Sequence, residues 1–176
     1  MNDLYPLIIQ KDEEAIKEFF FLMQPNVFHF LFRYIGNRAI AEDLTQDTFI
    51  KFWLSIDRLD PSQSCKAYLY KIARNLAINY HNRKPPVVRF EDDENLLLLY
   101  SKNSNMEVDA IFFMDDYQKA IESLPERCKA TFLLSRFSGF NYSEIAEILE
   151  VSIQTVKNQM NKALAVLRKR LRKHLD

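Results

Sequence analysis

The chain of 176 residues is long enough for one substantial core or two small ones, and we expect two small ones. Only two glycines and six prolines occur, so the composition favours helices over a turn-rich sheet protein, and the predicted fold class is all-α. The formal net charge is zero. This average is misleading, because basic and acidic residues are segregated along the chain.

Two basic segments flank an acidic one. From Pro61 to Phe90 several Lys and Arg residues occur without any Asp or Glu. Between Phe90 and Asp116 there are eight acidic residues, and Lys102 is the only basic one. From Val151 to Leu175 the chain is again basic and free of acid. Two basic segments separated by an acidic one indicate two contacts with a polyanion.

The cysteines and histidines predict neither a metal site nor a disulfide framework. Cys65 and Cys128 lie far apart without a CxxC pair, and the three histidines are scattered. The N-terminus lacks the basic start and long apolar run of a signal peptide, and no apolar run approaches the length of a membrane span. We therefore expect a cytoplasmic protein with reduced thiols, no cofactor and no membrane insertion.

The first domain, residues 1–84, is predicted to be a bundle of four helices. Pro25 is expected to separate the first two, because proline cannot continue helical hydrogen bonding. Gly36 is a natural C-terminal cap for the second helix, and Asn37 can cap the third. After a turn-like break at residues 60–64, the fourth helix closes before Pro85. The predicted helices cover about residues 12–23, 26–35, 37–56 and 66–82.

The third predicted helix has two dissimilar faces. Its core-facing side contains Ala41, Leu44, Thr45, Thr48 and Phe52 at helical spacing. The opposite side combines acidic and amide side chains with large apolar ones. Its members are Glu42, Asp43, Gln46, Ile50 and Trp53, with Asp47 and Leu54 at the edge. Two interpretations are open at this point: a docking surface for a partner, or a central helix that is buried on both sides.

The fourth predicted helix carries cations and amides on its outer side, with no acid nearby. These residues are Lys71, Arg74, Asn75, Asn79 and Asn82. Such a surface would suit a DNA strand, particularly an opened one, and the preceding loop at Ser62–Ser64 could hold a flipped base. A solvated basic helix is the alternative, and this helix taken by itself favours that alternative.

Residues 85–106 are predicted to be a flexible acidic linker, because they begin with a double proline and show no sustained helical period. Its apolar run at Leu96–Tyr100 is expected to pack on a domain or a partner. The second domain, residues 107–176, is predicted to contain a helix at about 108–123, a break at Leu124 and Pro125, and a helix to Phe137. Two further helices follow.

The most informative stretch is NYSEIAEILEVSIQTVKNQMNKAL, which begins at Asn141 and has the caps and packing residues of a helix-turn-helix. Asn141 and Glu144 form a capping box, and Ser152 can cap the second helix. Glu150 occupies the turn position where glycine often provides a left-handed backbone. The residues predicted to face outward from the second helix are Gln154, Thr155, Asn158, Asn161 and Lys162, with Lys157 beside them. Such side chains bond base edges and phosphates in the major groove of DNA, although an amphipathic surface helix is the alternative.

Three stretches strongly resemble the extracytoplasmic-function (ECF) sigma factors of bacterial RNA polymerase, in the sigma-70 family. They are AEDLTQDTFIKFW, LYKIARNLAINYHNRK and LPERCKATFLLSRFSGFNYSEIAEILEVSIQTVKNQMNKALAVLRKRL. Their order and spacing match that family across nearly the whole chain. The resemblance implies a sigma-2-like bundle, a sigma-4-like helix-turn-helix domain and a protein that selects promoters while core polymerase supplies the catalysis.

The resemblance also implies a role for each surface. The AEDLTQ-type helix docks on the clamp helices of the largest polymerase subunit, and the matching positions are Glu42, Asp43, Gln46, Asp47, Phe49 and Trp53. The fourth helix and its preceding loop would recognise and help melt the promoter −10 element, through Ser62, Gln63, Ser64, Lys66, Lys71, Arg74, Asn75 and Asn79. The helix-turn-helix would read the −35 element in duplex DNA, through Gln154, Thr155, Lys157, Asn158, Asn161 and Lys162. Outward Asn and Gln side chains favour adenine edges, so we expect an A-containing −35 site.

The expected partners are core polymerase, promoter DNA and an anti-sigma protein, which in this family commonly covers both domains. Two other functions are open. A stand-alone helix-turn-helix regulator, with an N-terminal bundle that senses a ligand or dimerises, predicts tight binding of duplex DNA by the free protein. An interaction module that does not bind DNA predicts that charge reversal at Lys157 and Lys162 leaves transcription unchanged. An enzyme is the least expected class, because no metal cluster, nucleophile–base pair or phosphate-cradling loop occurs.

Overall fold

The computed structural model describes residues 5–59, 64–83 and 116–174, and every regular element in these ranges is helical. The first part contains α1 (Tyr5–Ile9), α2 (Glu13–Ile35), α3 (Arg38–Ser55), a 3-10 turn (Ile56–Arg58) and α4 (Cys65–Arg83). The second part contains α5 (116–122), α6 (Glu126–Arg136), α7 (Tyr142–Leu149), α8 (Ile153–Arg170) and a 3-10 turn (Arg172–His174). The all-α prediction is confirmed. The predicted linker and its apolar run at Leu96–Tyr100 lie outside the described residues.

Helix α2 is continuous, so the predicted break at Pro25 is wrong. Pro25 lies inside the helix, on its exposed side. The proline removes one backbone donor, but Met23 and Val27 on either side of it are buried and hold both halves of the helix against the bundle. The packing of these side chains outweighs the loss of a single hydrogen bond.

The connection between α2 and α3 has the predicted caps. Gly36 has a φ of 75°, and its N–H donates to the Phe32 carbonyl oxygen at 2.8 Å, which closes α2. The Asn37 side chain accepts a hydrogen bond from the Ile40 N–H at 3.0 Å, which opens α3. Glycine adopts a positive φ without steric cost, so the chain passes from one helix to the next through these two residues.

The side of α3 that was predicted to face the core does so. Its buried residues are Ala41, Leu44, Thr45, Thr48 and Phe52. Phe52 stacks on Phe19 of α2, with ring centroids 5.3 Å apart. The Thr45 and Thr48 hydroxyls each donate to a carbonyl oxygen one turn earlier, at 2.6 Å, so both buried hydroxyls are satisfied.

Helices α7 and α8 form the predicted helix-turn-helix, and both predicted caps are present. The Asn141 side chain accepts from the Glu144 N–H at 3.0 Å, while the Glu144 carboxylate accepts from the Asn141 N–H at 2.8 Å. The Ser152 hydroxyl accepts from the Thr155 N–H at 3.1 Å and opens α8. These reciprocal bonds occupy N–H groups that a helix start otherwise leaves unpaired.

The turn between these helices places a non-glycine residue in the left-handed region, at the position where the sequence leads us to expect either strain or a variant turn. Glu150 has a φ of 55° and a ψ of 46°. Its N–H donates to carbonyl oxygens of α7, so hydrogen bonds hold the backbone of the turn in place. Below the turn, α8 packs with α6 and α7 through an apolar stripe of Val156, Met160, Ala163 and Leu167.

The two domains pack against each other, with α4 touching α7 and α2 touching α6. At the first contact the Tyr70 and Phe140 rings meet edge to face, with centroids 4.9 Å apart. At the second, the Lys129 Nζ donates to the Tyr34 carbonyl oxygen at 2.6 Å, and Lys129 is only 7% exposed. The sequence does not predict this contact, because its two sides lie far apart in the chain and no motif marks either of them.

Candidate functional site

The outer side of α3 is exposed and mixes acidic with apolar side chains. We call it the α3 surface; its residues are Glu42, Asp43, Gln46, Asp47, Ile50, Trp53 and Leu54. Trp53 is 48% exposed and Leu54 72% exposed. These exposures exclude the interpretation of α3 as a helix buried on both sides. The free energy falls when a partner covers large apolar side chains that are otherwise exposed to water. This surface is therefore suited to docking.

Phe20 and Phe21 of α2 extend this surface, and the sequence did not predict them. Phe49 lies at the edge of α3, partly buried, and its ring meets that of Phe20 at a centroid distance of 4.7 Å. Phe20, Phe21 and Leu22 are all exposed. The run of phenylalanines at 19–21 was the available signal, because three consecutive helical residues span about 200° and cannot all face one core.

The predicted −10 residues on α4 fall into two groups. Asn75 and Asn79 are exposed, as expected. Lys66, Lys71 and Arg74 are only partly exposed, because the second domain lies beside them.

The loop that precedes α4 is described only in part. Ser64 is exposed, and its hydroxyl accepts from the Ala67 N–H at 3.4 Å. Lys66 lies in the first turn of α4. Ser62 and Gln63 lie outside the described residues. The predicted capture of a flipped base therefore remains a prediction.

Two of the cations on α4 are held by the second domain. The Lys71 Nζ lies 2.8 Å from the Glu150 Oε1. The Lys66 Nζ donates to the Ser138 carbonyl oxygen at 3.0 Å and lies 4.3 Å from the centroid of the Phe140 ring. The hydrogen bond and charge of Lys71 lower the pKa of Glu150 below its ordinary value.

Arg74 borders a cleft of about 420 Å³ between α4 and the second domain, whose far wall includes Glu126 and Arg127. Its Nη1 donates to the Asn75 side-chain oxygen at 3.0 Å. Its Nε is buried without a hydrogen-bond partner. A buried N–H group without a partner is unfavourable.

The predicted −35 residues lie on the side of α8 opposite its buried stripe. Gln154, Lys157, Asn158, Asn161 and Lys162 are exposed, and Thr155 is partly exposed. The Gln154 Nε2 donates to the Asn158 Oδ1 at 3.0 Å, which aligns two amides one turn apart. The Thr155 hydroxyl lies 2.8 Å from that of Ser152 and so belongs to the helix cap. The exposed amides and lysines keep the donors and acceptors that a DNA groove requires.

A further cation lies beside this helix and was not predicted. Arg127, in the first turn of α6, lines a shallow cleft together with Asn158 and Lys162. The guanidinium therefore adds positive charge next to the predicted −35 residues of α8.

Neither cysteine lies on these surfaces as a reactive thiol. Both cysteines of the chain are unpaired and buried, and burial raises the pKa of Cys65 to about 12 and that of Cys128 above its usual range. Over the described ranges, no three potential metal ligands come together. None of the described helices combines the length and the apolarity that a membrane span needs.

Two family models match this chain. Sigma-70 region 2 matches residues 21–85, which include α3 and α4. Sigma-70 region 4 matches residues 114–167, which include α6, α7 and most of α8. The two matches therefore cover all three surfaces described above.

Known relatives agree with these matches. The chain is 27% identical over 170 residues to the ECF RNA polymerase sigma factor SigW of Bacillus subtilis (strain 168), with 92% of this chain and 91% of that protein covered. It is 30% identical over 142 residues to the RNA polymerase sigma factor SigV of the same strain, with 81% and 82% covered. The solved structure of the sigma factor RpoE in complex with the anti-sigma factor NepR from Bartonella quintana has the same fold, with a TM-score of 0.70, 23% identity and 89% and 96% of the two chains covered. The chain therefore belongs to the ECF sigma factors of bacterial RNA polymerase, which are initiation factors and not enzymes.

Proposed function

We propose that this protein binds the core of RNA polymerase and directs initiation at promoters that carry a −10 and a −35 element. The observation that carries the proposal is the exposed α3 surface, in which Trp53 stands among acidic side chains within the matched region 2. The core polymerase that it serves acts in the cytoplasm, so we propose that location for the protein.

The α3 surface is suited to a basic helical partner such as the polymerase clamp helices. Asp43 and Asp47 supply negative charge that steers a basic partner, whereas the Glu42 carboxylate is paired with Arg38 at 2.9 Å. Trp53 supplies a large apolar anchor of the kind that carries most of the energy in protein interfaces. The neighbouring Phe20 and Phe21 of α2 would enlarge the area that becomes buried.

Each of the two DNA surfaces would contact one element of the promoter. The exposed Asn75 and Asn79 amides on α4 can bond the edges of unpaired bases, next to the lysines that would hold the strand. The exposed amides of α8, with Lys157 and Lys162, fit duplex DNA in the major groove. Because one chain holds both surfaces, binding at one element raises the effective concentration of the other domain at its own element.

We further propose an anti-sigma protein as the regulatory partner. The RpoE structure contains a sigma factor of the same fold held by the anti-sigma factor NepR. The exposed apolar residues of α2 and α3, including Phe21 and Trp53, are the natural contacts for such a partner. An anti-sigma protein bound there would compete with core polymerase for the same surface.

Substitutions on the α3 surface test the polymerase contact. Trp53→Ala is expected to weaken the affinity for purified core polymerase roughly tenfold or more, since interface anchors of this kind cost on the order of 2 kcal/mol when truncated. The double change Asp43→Ala with Gln46→Ala is also expected to weaken it. Fluorescence anisotropy of the labelled chain, titrated with core, measures the affinity, and thermal unfolding followed by circular dichroism checks the fold.

Glu147→Ala provides the matched control, because Glu147 is an exposed carboxylate on α7, away from the α3 surface. Unchanged affinity in the Trp53 and Asp43/Gln46 variants would remove the docking claim. A gel shift with promoter DNA, with and without core, completes the test. Equally tight promoter binding by the free chain would indicate a stand-alone regulator instead.

A further inference from the structure

The cleft of about 420 Å³ between α4 and the second domain combines cationic and apolar walls. Arg74 of α4 and Arg127 of α6 each contribute a guanidinium group. Glu126 is the only acid among the described residues that line the cleft, so its net charge is positive. The volume is within the range of protein sites that hold a whole small molecule. The cleft is therefore a candidate site for an anionic ligand.

Arg74 has hydrogen-bonding capacity that the protein does not use. Its Nη1 donates to the Asn75 side-chain oxygen at 3.0 Å, but its Nε is buried and has no partner within the described ranges. A guanidinium can hold a phosphate through two neighbouring N–H groups at once. A phosphate oxygen at the Nε would therefore supply the missing partner. Arg127, on the facing wall, is exposed to the same cleft.

The remainder of the cleft suits a flat organic group. Ile78 of α4 and Leu149 and Val151 of the helix-turn-helix form an apolar wall. A nucleobase gains free energy by burying its faces against such a wall, whereas an inorganic anion does not. The Gln159 side-chain oxygen accepts from the Thr131 hydroxyl at 2.6 Å, which fixes this amide. Its NH2 group then remains to donate to the polar edge of a base.

Glu126 favours a nucleotide over a simple anion. Its carboxylate accepts from the Tyr34 hydroxyl at 3.4 Å, a long bond that leaves most of its acceptor capacity unused. The same carboxylate would repel a bare phosphate. The hydroxyls of a ribose are donors, and carboxylates accept from them in nucleotide-binding folds. A ligand that has phosphates, a sugar and a base would thus give each part of the cleft a partner.

We propose that this cleft binds a nucleoside diphosphate. Its phosphates are held by Arg74 and Arg127, its sugar hydroxyls donate to Glu126, and its base packs on the wall that contains Ile78 and Leu149. The ligand contacts both domains at once, because its two arginine partners belong to α4 and α6. The inference goes beyond the proposed function, since neither core polymerase nor promoter DNA takes part in this binding.

Calorimetric titration of the full chain tests the class of ligand. The probes are ADP, GDP, their two nucleosides and inorganic pyrophosphate, in a buffer without divalent cations. We expect at least one of the two nucleotides to bind about tenfold more tightly than its own nucleoside and than pyrophosphate. Absence of binding by both nucleotides up to about 1 mM would overturn the proposal. Equally tight binding of pyrophosphate would also overturn it, because the site would then recognise only the anion.

Substitution of the two arginines tests the place of binding. Arg74→Gln and Arg127→Gln are each expected to weaken the affinity for the nucleotide about tenfold or more, since each removes charged hydrogen bonds to a phosphate. Arg136→Gln is the matched control, because Arg136 is an exposed arginine at the other end of α6 and its loss changes the net charge equally. An equal loss of affinity in Arg136→Gln and Arg127→Gln would indicate general attraction between charges and would refute the site.

Glu126→Ala tests the position of the sugar. The change removes a partner of the ribose and also a charge that repels bare phosphate. Both effects should lower the ratio of the affinity for the nucleotide to the affinity for pyrophosphate, by several-fold. Circular dichroism of each variant checks that the fold is retained. An unchanged or higher ratio in a folded Glu126→Ala chain would contradict the proposed orientation of the ligand.

Discussion

Asn158 occupies a position from which it can read a base rather than support the fold. Its side chain is exposed on α8 and accepts a hydrogen bond from Gln154. Lys157, its neighbour in sequence, is also exposed but has only donors to offer. An amide can distinguish adenine from the other bases, whereas an ammonium group is attracted to phosphate at any sequence.

Substitution of these two residues should therefore have different consequences. Asn158→Ala is expected to remove about 1–3 kcal/mol of preference at a single base pair of the −35 element. Lys157→Ala is expected to weaken binding to all sequences. It should also reduce the magnitude of the slope of log K against log salt concentration by about one. Both are measured as the affinity of the complex with core for a set of −35 duplexes at several salt concentrations. A uniform loss for Asn158→Ala would mean that this amide does not read a base.

The lowered pKa of His29 predicts that the stability of the first domain depends on pH. Burial lowers the pKa of His29 from its ordinary value of 6.5, and the charge of Arg33 lowers it further. The folded state therefore binds this proton less readily than the unfolded state. Its contribution to stability is present above the unfolded pKa and is lost as the pH falls through the folded pKa.

We expect the urea midpoint of the wild-type chain to fall between about pH 7.5 and pH 5.5, and His29→Gln to reduce that fall. The Gln side chain cannot be protonated in this range. His81→Gln is the control, because His81 is exposed on α4. The same pH dependence in wild type and His29→Gln would show that other groups are responsible.

At the scale of single residues, the sequence predicts exposure well wherever helical spacing decides it. Trp53 and the amides of α8 are exposed as predicted, and Phe52 is buried as predicted. The partial burial of Lys66 and Lys71 is not predictable in this way, because a neighbouring domain rather than their own helix covers them.

Among the elements, α2 shows how tertiary packing overrides a local rule. Its caps, Asp12 at the start and Gly36 at the end, follow from residue type. Pro25 suggests a break by the same local reasoning, yet the helix continues because the buried Met23 and Val27 hold both halves in place. The sequence predicts helix boundaries correctly where capping residues determine them. It fails where a boundary depends on burial in a core that distant segments form.

Replacement of Pro25 should therefore stabilise the protein. Pro25→Ala restores a backbone N–H on the exposed side of α2 and is expected to raise the free energy of unfolding by about 1–3 kcal/mol. Urea unfolding followed by circular dichroism measures the change. Gln24→Ala, at the adjacent exposed position, is the control and should have little effect. An unchanged or lower stability of Pro25→Ala would show that α2 is adapted to the proline.

At the scale of the whole molecule, the contact between the domains depends on pairs that are distant in sequence. The Lys129–Tyr34 and Lys71–Glu150 contacts join residues with no shared motif or spacing. A sequence pattern reports which residues share the face of one helix. It carries no information on which helix of another domain lies against that face.

The contact should weaken as salt increases. The Lys71–Glu150 pair is partly exposed, and mobile ions screen such pairs. Between about 50 mM and about 500 mM salt we expect the Lys66 amine of the wild-type chain to react faster with an acetylating reagent, as read by mass spectrometry. In Glu150→Lys the same increase of salt should screen the repulsion between the new lysine and Lys71. The Lys66 rate should then stay the same or fall. If the rate in the wild type does not depend on salt, the apolar and backbone contacts alone hold the two domains together.

The burial of both cysteines limits the reactions that their thiols can undergo in the folded protein. A thiol reacts with peroxides and electrophiles as the ionised sulfur, and neither Cys65 nor Cys128 offers that form at the surface of the folded chain. A response to peroxide through these two thiols would require local opening of the fold to expose Cys65 or Cys128 first.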